Sequence, residues 1–133
     1  MTLERLVERL VAVINASDLD ALAELYSVGY IDHDPLPGQS PGVDGVRAGL
    51  EMLTPAEVTP RFHLEDCFSS GDRVAYRIFG SWEVAPQFLF ESGLGSRPTL
   101  TLSGAGIFRC RDGRFVERWG HWVVTSSEAE VVR

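Results

Sequence analysis

Leu3, Leu6, Val7, Leu10, Val11 and Ile14 recur with the period of an α-helix, while Glu4, Arg5, Glu8 and Arg9 fall largely on the other side. The pattern predicts an amphipathic helix over residues 2–15, ended by Asn15-Ala16. Ser17 followed by Asp20 has the form of a short capping box and opens a second helix over 18–26, which buries Leu19, Leu22, Leu25 and Tyr26. A short strand, Tyr30-Ile31-Asp32-His33-Asp34, stops at Pro35, and the Pro- and Gly-rich run to Gly42 is a loop. Val43, Val46, Leu50 and Leu53 are spaced for a third helix ending near Thr54-Pro55.

From residue 60 the period changes to two. Strands are expected at 61–69, 73–85, 99–110 and 115–125. Ser70-Gly71-Asp72 and Arg111-Asp112-Gly113-Arg114 form the hairpin turns. In the second of these strands Val74, Tyr76, Ile78, Trp82 and Val84 share one face, interrupted by Gly80. Residues 86–98 form an irregular connection, and the polar tail 126–133 frays. Helices first and long antiparallel strands afterwards mean α+β, with the helices covering the concave face of a curved sheet. The open end of such a cone is a natural small-molecule site.

Composition narrows the function classes. The 133 residues carry 44% hydrophobic side chains, enough for one core in a single domain spanning 1–133. Acidic residues outnumber basic ones 19 to 12, for a net charge of −7, and every basic residue is Arg. An acidic chain without an Arg cluster repels phosphate backbones, so nucleic acid is not an expected partner. The absence of Lys removes Schiff-base chemistry. Cys67 and Cys110 lie far apart in apolar runs and read as reduced core thiols of a cytoplasmic protein. The N-terminal apolar run is interrupted by charges, unlike a signal peptide, and no stretch is long enough to span a membrane. His33, His63 and His121 lack metal-ligand spacing, and no phosphate-binding glycine loop or Ser-hydrolase elbow occurs. Neither a metal nor a cofactor is implied.

Several strings, in order, resemble the SnoaL-like polyketide cyclases of the nuclear transport factor two-like (ketosteroid isomerase-like) superfamily. They include Asn15-Ala16-Ser17-Asp18-Leu19-Asp20, Tyr30-Ile31-Asp32-His33-Asp34-Pro35 and Gly42-Val43-Asp44-Gly45-Val46. Gly71-Asp72-Arg73-Val74-Ala75 and the ending Ile107 to Trp119 complete the set. The resemblance implies a cone in which a curved antiparallel sheet wraps three N-terminal helices around a central pocket. It also implies a homodimer. The superfamily hosts many reactions, so the fold alone does not choose one.

The same resemblance sorts the candidate chemistry. In ketosteroid isomerases the general base is an Asp before a Pro at the end of this short strand, which corresponds to Asp34. Their oxyanion donors correspond to Leu10 and Gly106, neither of which can donate from its side chain. SnoaL-like cyclases carry an acid beside the Trp of the last strand, in a run like Glu-His-Trp-Asp; here the run is Glu117-Arg118-Trp119-Gly120, with glycine in the acid's place. The fold's limonene epoxide hydrolases use Asp-Arg-Asp, of which Arg118 with Asp32 or Asp34 supplies a part.

Read as residues, Tyr30, Asp32 and Asp34 alternate onto one face and His33 onto the other. A desolvated Asp34 can abstract a proton, though Asp before Pro also starts turns. Two carboxylates two residues apart, Asp32 and Asp34, raise one another's pKa if both face the cavity. Buried, Arg118 must pair with a carboxylate or hold an anionic oxygen. In the opposite register Glu117, Trp119 and His121 line the interior instead. His33 can orient a carboxylate, and His121 stands next to the missing acid. Tyr76, Trp82, Phe88 and Trp122, with Tyr30 and Asp32, are expected to contact a hydrophobic, aromatic or polyketide-derived ligand. The expected function is cofactor-independent acid/base catalysis, a cyclisation or isomerisation. Epoxide or lactone hydrolysis and non-catalytic ligand binding are the alternatives.

Overall fold

A computed structural model describes residues 2–54, 59–83 and 99–126. Helix α1 (Leu3–Asn15) opens on Thr2, whose hydroxyl accepts from the Arg5 amide at 3.2 Å, and buries Leu6, Val7, Leu10, Val13 and Ile14. At its far end Asn15 donates to the Phe62 carbonyl (2.9 Å) and accepts from the Phe62 amide (2.8 Å). One side-chain amide thus stands in for a strand partner on the outermost strand of the sheet.

The second helix is shorter than its apolar spacing suggests. A 3-10 turn over Leu19–Ala21 leads into α2 (Leu22–Leu25), a single turn. Ser17 adopts a positive φ of 55°, and the Asp18 cap position makes no side-chain bond, so the expected capping box does not form. Strand β1 then starts at Tyr26, not Tyr30, and ends at Asp32 (Tyr26–Asp32). Its alternation is broken: Tyr26 and Tyr30 are both buried while Val28 between them is fully exposed. The strand shifts register between Tyr26 and Ile31, which turns the two rings inward to meet edge to face at 4.7 Å.

Helix α3 (Gly42–Leu53) follows the loop. The Ser40 carbonyl passes so close over Gly45 that any β-carbon there would collide with it. The rest of the sheet comprises β2 (Arg61–Ser70), β3 (Arg73–Glu83), β4 (Thr99–Arg111) and β5 (Arg114–Ser126). Asp112 and Gly113, both at positive φ, turn β4 into β5 in the manner that fits the strands' own twist. Residues 84–98 and 127–133, which include Val84, Phe88 and the irregular connection, lie outside the described residues.

The curved five-stranded sheet runs in the order β1-β5-β4-β3-β2. It is antiparallel except for β1, which runs parallel to β5 and sets Asp32 beside Arg118 in register. Between the helices and the inner sheet face lie Val7, Leu22, Leu25, Val74 and Phe115, all essentially without solvent exposure. Burial pushes the Cys110 thiol up to about 11 and raises Cys67 as well, which keeps both in the unreactive thiol form. No described helix is long and apolar enough to cross a membrane.

Candidate active site

The helices do not fill the cone. Val46, Leu50 and Leu53 of α3 turn their apolar face toward the sheet yet stay only partly buried, because they border a cavity of about 240 Å³. That is about 1.6 times the roughly 150 Å³ that accommodates a benzene ring, so a bicyclic aromatic body fits. Val7, Leu10 and Ile14 of α1 close one side, and Tyr76, Phe108 and Trp122 of the sheet close the other.

One polar network interrupts this lining. Arg118, only 2% exposed, donates from Nε to the Tyr76 hydroxyl at 2.7 Å. Its Nη1 donates to both oxygens of Asp32, at 3.0 and 3.2 Å. Its guanidinium carbon sits 4.7 Å from the centre of the Trp122 ring, a cation–π contact. Burial works against the charge, but the Tyr76 oxygen and Asp32 more than offset it, so the Arg118 pKa is raised. Asp32 Oδ1 also accepts the Asp34 amide at 3.0 Å.

Two donors are left over. Among the described residues, neither Arg118 Nη2 nor the Tyr30 hydroxyl has a hydrogen-bond partner, although both are buried and both residues line the cavity. A buried donor without an acceptor costs about 1–3 kcal/mol, a cost that a ligand oxygen relieves. Burial raises the pKa of Tyr30 and of Tyr76 above the ordinary tyrosine value, so each phenol keeps its proton. Tyr76 accepts from Arg118 and therefore has its own hydrogen free to donate.

Three glycines make room for this arrangement. A β-carbon on Gly104 would strike Trp122, on Gly106 the Tyr76 hydroxyl, and on Gly120 the backbone of Ala105 and Gly106 with Arg118 Nη2 at 3.2 Å. The three side chains of the network thus lie against bare backbone.

The strand register settles which face of β5 is interior: Arg118 and Trp122 point in, while Trp119 and His121 point out. Tyr30, Asp32, Tyr76, Trp122 and Arg118 are brought together in the cavity lining. Four expected site residues are placed elsewhere. Asp34 is exposed and outside that lining, because β1 ends at Asp32 and the chain bends over 33–34, where alternation no longer applies. Its carboxylate accepts instead from the Gly120 amide at 2.8 Å. His33 stacks on Trp119 with centres 4.7 Å apart and meets Glu117 Oε2 at 2.6 Å, on the outer side. Together with Arg109, it holds the Glu117 carboxyl below the usual range. His121 is exposed on the outer face, as alternation from Arg118 requires. Trp82 is buried against Phe62, 5.4 Å away, in the packed core beyond the cavity. Phe88 lies outside the described residues. Among the described residues, no group of three or more His, Cys, Asp or Glu side chains could hold a metal ion.

Sequence reasoning assigned Gly104 no role and took Gly106 and Gly120 only as lost functional groups. The available signal was Gly104-Ala105-Gly106, glycines at period two on an inward face, opposite Gly120 and Trp122 on the next strand.

The model of the SnoaL-like domain family matches residues 7–118. No curated protein matches the chain. A SnoaL-like polyketide cyclase from Agrobacterium tumefaciens superposes with a TM-score of 0.72 at 18% identity, covering 98% of each chain. IdmH, a putative polyketide cyclase from Streptomyces antibioticus, gives 0.68 at 23% identity, over 96% of this chain and 94% of that one. An epoxide hydrolase from M. tuberculosis, described as LEH-like, gives 0.64 at 15% identity, over 90% and 81%. Identities this low speak for the fold and leave the reaction to the site itself. With the family model spanning most of its length and the same cone beneath it, this chain belongs to the SnoaL-like family of the nuclear transport factor two-like fold.

Proposed function

We propose that the protein is a cofactor-independent acid/base enzyme acting on a hydrophobic, flat carbonyl compound of polyketide or aromatic character, with Asp32 as the base. The observation that carries this reading is a pair of buried donors without a partner among the described residues, Tyr30 Oη and Arg118 Nη2, in an apolar cavity that Asp32 also lines. Two donors and one carboxylate are what proton removal next to a carbonyl needs.

The step balances in atoms and charge. Asp32 takes a proton from the carbon beside the carbonyl, and the C–H electron pair becomes the C=C bond of an enolate. The carbonyl π pair moves onto oxygen, where Tyr30 and Arg118 donate to it. Negative charge passes from Asp32 to the enolate oxygen, so Arg118 keeps a counter-charge throughout. Return of the proton at a different carbon gives isomerisation. Attack of the enolate carbon on a second carbonyl of the same molecule, with Asp32 returning its proton to the new alkoxide, gives ring closure. Tyr30 serves as a donor only, since burial holds its proton.

Deuterium incorporation into 2-tetralone in D2O, followed by NMR, tests the step without knowledge of the natural substrate. The protein is expected to accelerate exchange beside the carbonyl, and Asp32→Asn is expected to lower the rate by about 10²–10⁴-fold. Wild-type exchange no faster than buffer, with 2-tetralone bound, would leave a binding protein. The Asp32–Arg118 pair also favours a second reading, water activation for epoxide opening. Diol formation from an aromatic epoxide that wild-type protein accelerates over buffer and Asp32→Asn does not would establish it.

A further inference from the structure

We propose that Asp34 is a positioning residue: its carboxylate latches the segment after β1 onto β5 and thereby fixes Asp32 and Arg118 at working distance. The inference rests on the reading of Asp32 as the base. Parallel pairing of β1 with β5 continues through the bond from the His33 amide to the Arg118 carbonyl, at 2.9 Å. Beyond it the backbone bends away at 33–34, and the next β5 amide, that of Gly120, would lose its acceptor. The Asp34 carboxylate supplies one at 2.8 Å, across 86 residues of sequence. A side chain thus makes the rung that the backbone no longer can.

The latch is wired to both members of the site. The Asp34 amide donates to Asp32 Oδ1 at 3.0 Å, orienting the carboxylate that faces the cavity. The Asp34 carbonyl lies 3.5 Å from Arg118 Nη1, the nitrogen that also holds Asp32. Gly120, which the latch grips, lies so close to the guanidinium that a β-carbon on it would stand 3.2 Å from Arg118 Nη2. Loosening Asp34 therefore frees the Asp32 carboxylate, the Arg118 guanidinium and the β5 backbone beneath it together. Asp34 itself is exposed and absent from the cavity lining, so it touches no substrate held there.

Two substitutions separate positioning from proton transfer. Asp34→Asn keeps an oxygen for the Gly120 amide but has no basic carboxylate, whereas Asp34→Ala removes both. Positioning predicts that the Asn variant retains 2-tetralone exchange to within about threefold, while the Ala variant loses about 10–100-fold in turnover at similar KM. An Asn variant as inactive as Asp32→Asn would overturn the proposal and make Asp34 the base; the Asn variant is isosteric, so this outcome does not depend on how well the Ala variant folds. A readout independent of turnover is the ¹H–¹⁵N spectrum of the full chain. Asp34→Ala should shift the Gly120 amide upfield and speed solvent exchange of Arg118 Nε–H, and Asp34→Asn should restore both. Gly120 and Arg118 signals unmoved in Asp34→Ala would also overturn it. If wild-type protein fails to exchange 2-tetralone, the catalytic reading falls, and these two signals alone decide the latch.

Discussion

Gly106 and Gly120 face one another across the β4–β5 ladder, and neither has room for a methyl group. At Gly106 the space is taken by the Tyr76 hydroxyl, and at Gly120 by the Ala105 carbonyl and the edge of Arg118. The position where SnoaL-like cyclases keep an acid is therefore not a gap waiting to be filled. Here the charged side chain that lines the cavity stands two residues earlier on the same strand face, and the bare backbone is what lets its guanidinium lie there.

Gly120→Ala is accordingly expected to destabilise the fold by about 1–3 kcal/mol, since the close atoms at Gly120 include backbone that cannot swing aside. Gly120→Asp, which reinstates the family's acid, should be worse on both counts: lower stability, and displacement of Arg118 from Tyr76. Urea unfolding gives the first and the Arg118 Nε–H resonance the second. A Gly120→Asp variant with native stability and increased 2-tetralone exchange would refute this account.

Asp32 and Arg118 should show strong coupling in stability. Removing one member leaves the other's charge buried, at a cost of about 3–5 kcal/mol, whereas replacing both by neutral groups of similar shape costs much less. Asp32 keeps some access to solvent at 11% side-chain exposure against 3% for Arg118, so the larger penalty belongs to Asp32→Asn, which strands the cation. The double variant Asp32→Asn/Arg118→Met should recover most of that loss. Additive losses in urea unfolding would show that the two charges are solvated separately.

The N-terminal helix and the hairpin turns were legible from the sequence because local chemistry fixes them: period 3.6 in α1, and Asp112-Gly113 at positive φ. The Tyr26–Tyr30 stretch was not, because its spacing of four suits a helix as well as a strand carrying a register shift. Only the pairing with β5, almost ninety residues away, decides between them. The same non-local pairing selects Asp32 over Asp34. Alternation predicts both facing inward, but the strand stops between them. Arg118 could be read as needing a carboxylate partner once buried, because an unpaired guanidinium is costly; which carboxylate it finds is a matter of register.

All three tyrosines of the chain, Tyr26, Tyr30 and Tyr76, have pKa values raised first of all by burial. Raised values mean that the folded state holds these protons more tightly than the unfolded state does. Their contribution to stability is whole below the ordinary tyrosine pKa of 10.0 and is lost as pH rises beyond it. Tyrosinate absorbance should therefore appear together with the loss of near-ultraviolet circular dichroism in an alkaline titration. A tyrosine ionising near pH 10 in protein that keeps its native dichroism would contradict the burial of that ring.

Leu50 tests whether the cavity is the place where a ligand sits. It lies on α3 with one side on the cavity and is only partly buried, so a larger apolar side chain has space to grow into. In a solid core such a change costs about 1–3 kcal/mol through overpacking. Against an open cavity, Leu50→Phe instead adds apolar contact at about 25 cal/mol per Å² of newly buried surface. It should therefore raise the melting temperature while suppressing 2-tetralone exchange and binding. Opposite signs in stability and activity are the mark of a void kept for function, since the wild-type chain forgoes that packing. A Leu50→Phe variant that is destabilised yet fully active would show that α3 closes against packed side chains, and that the ligand enters elsewhere.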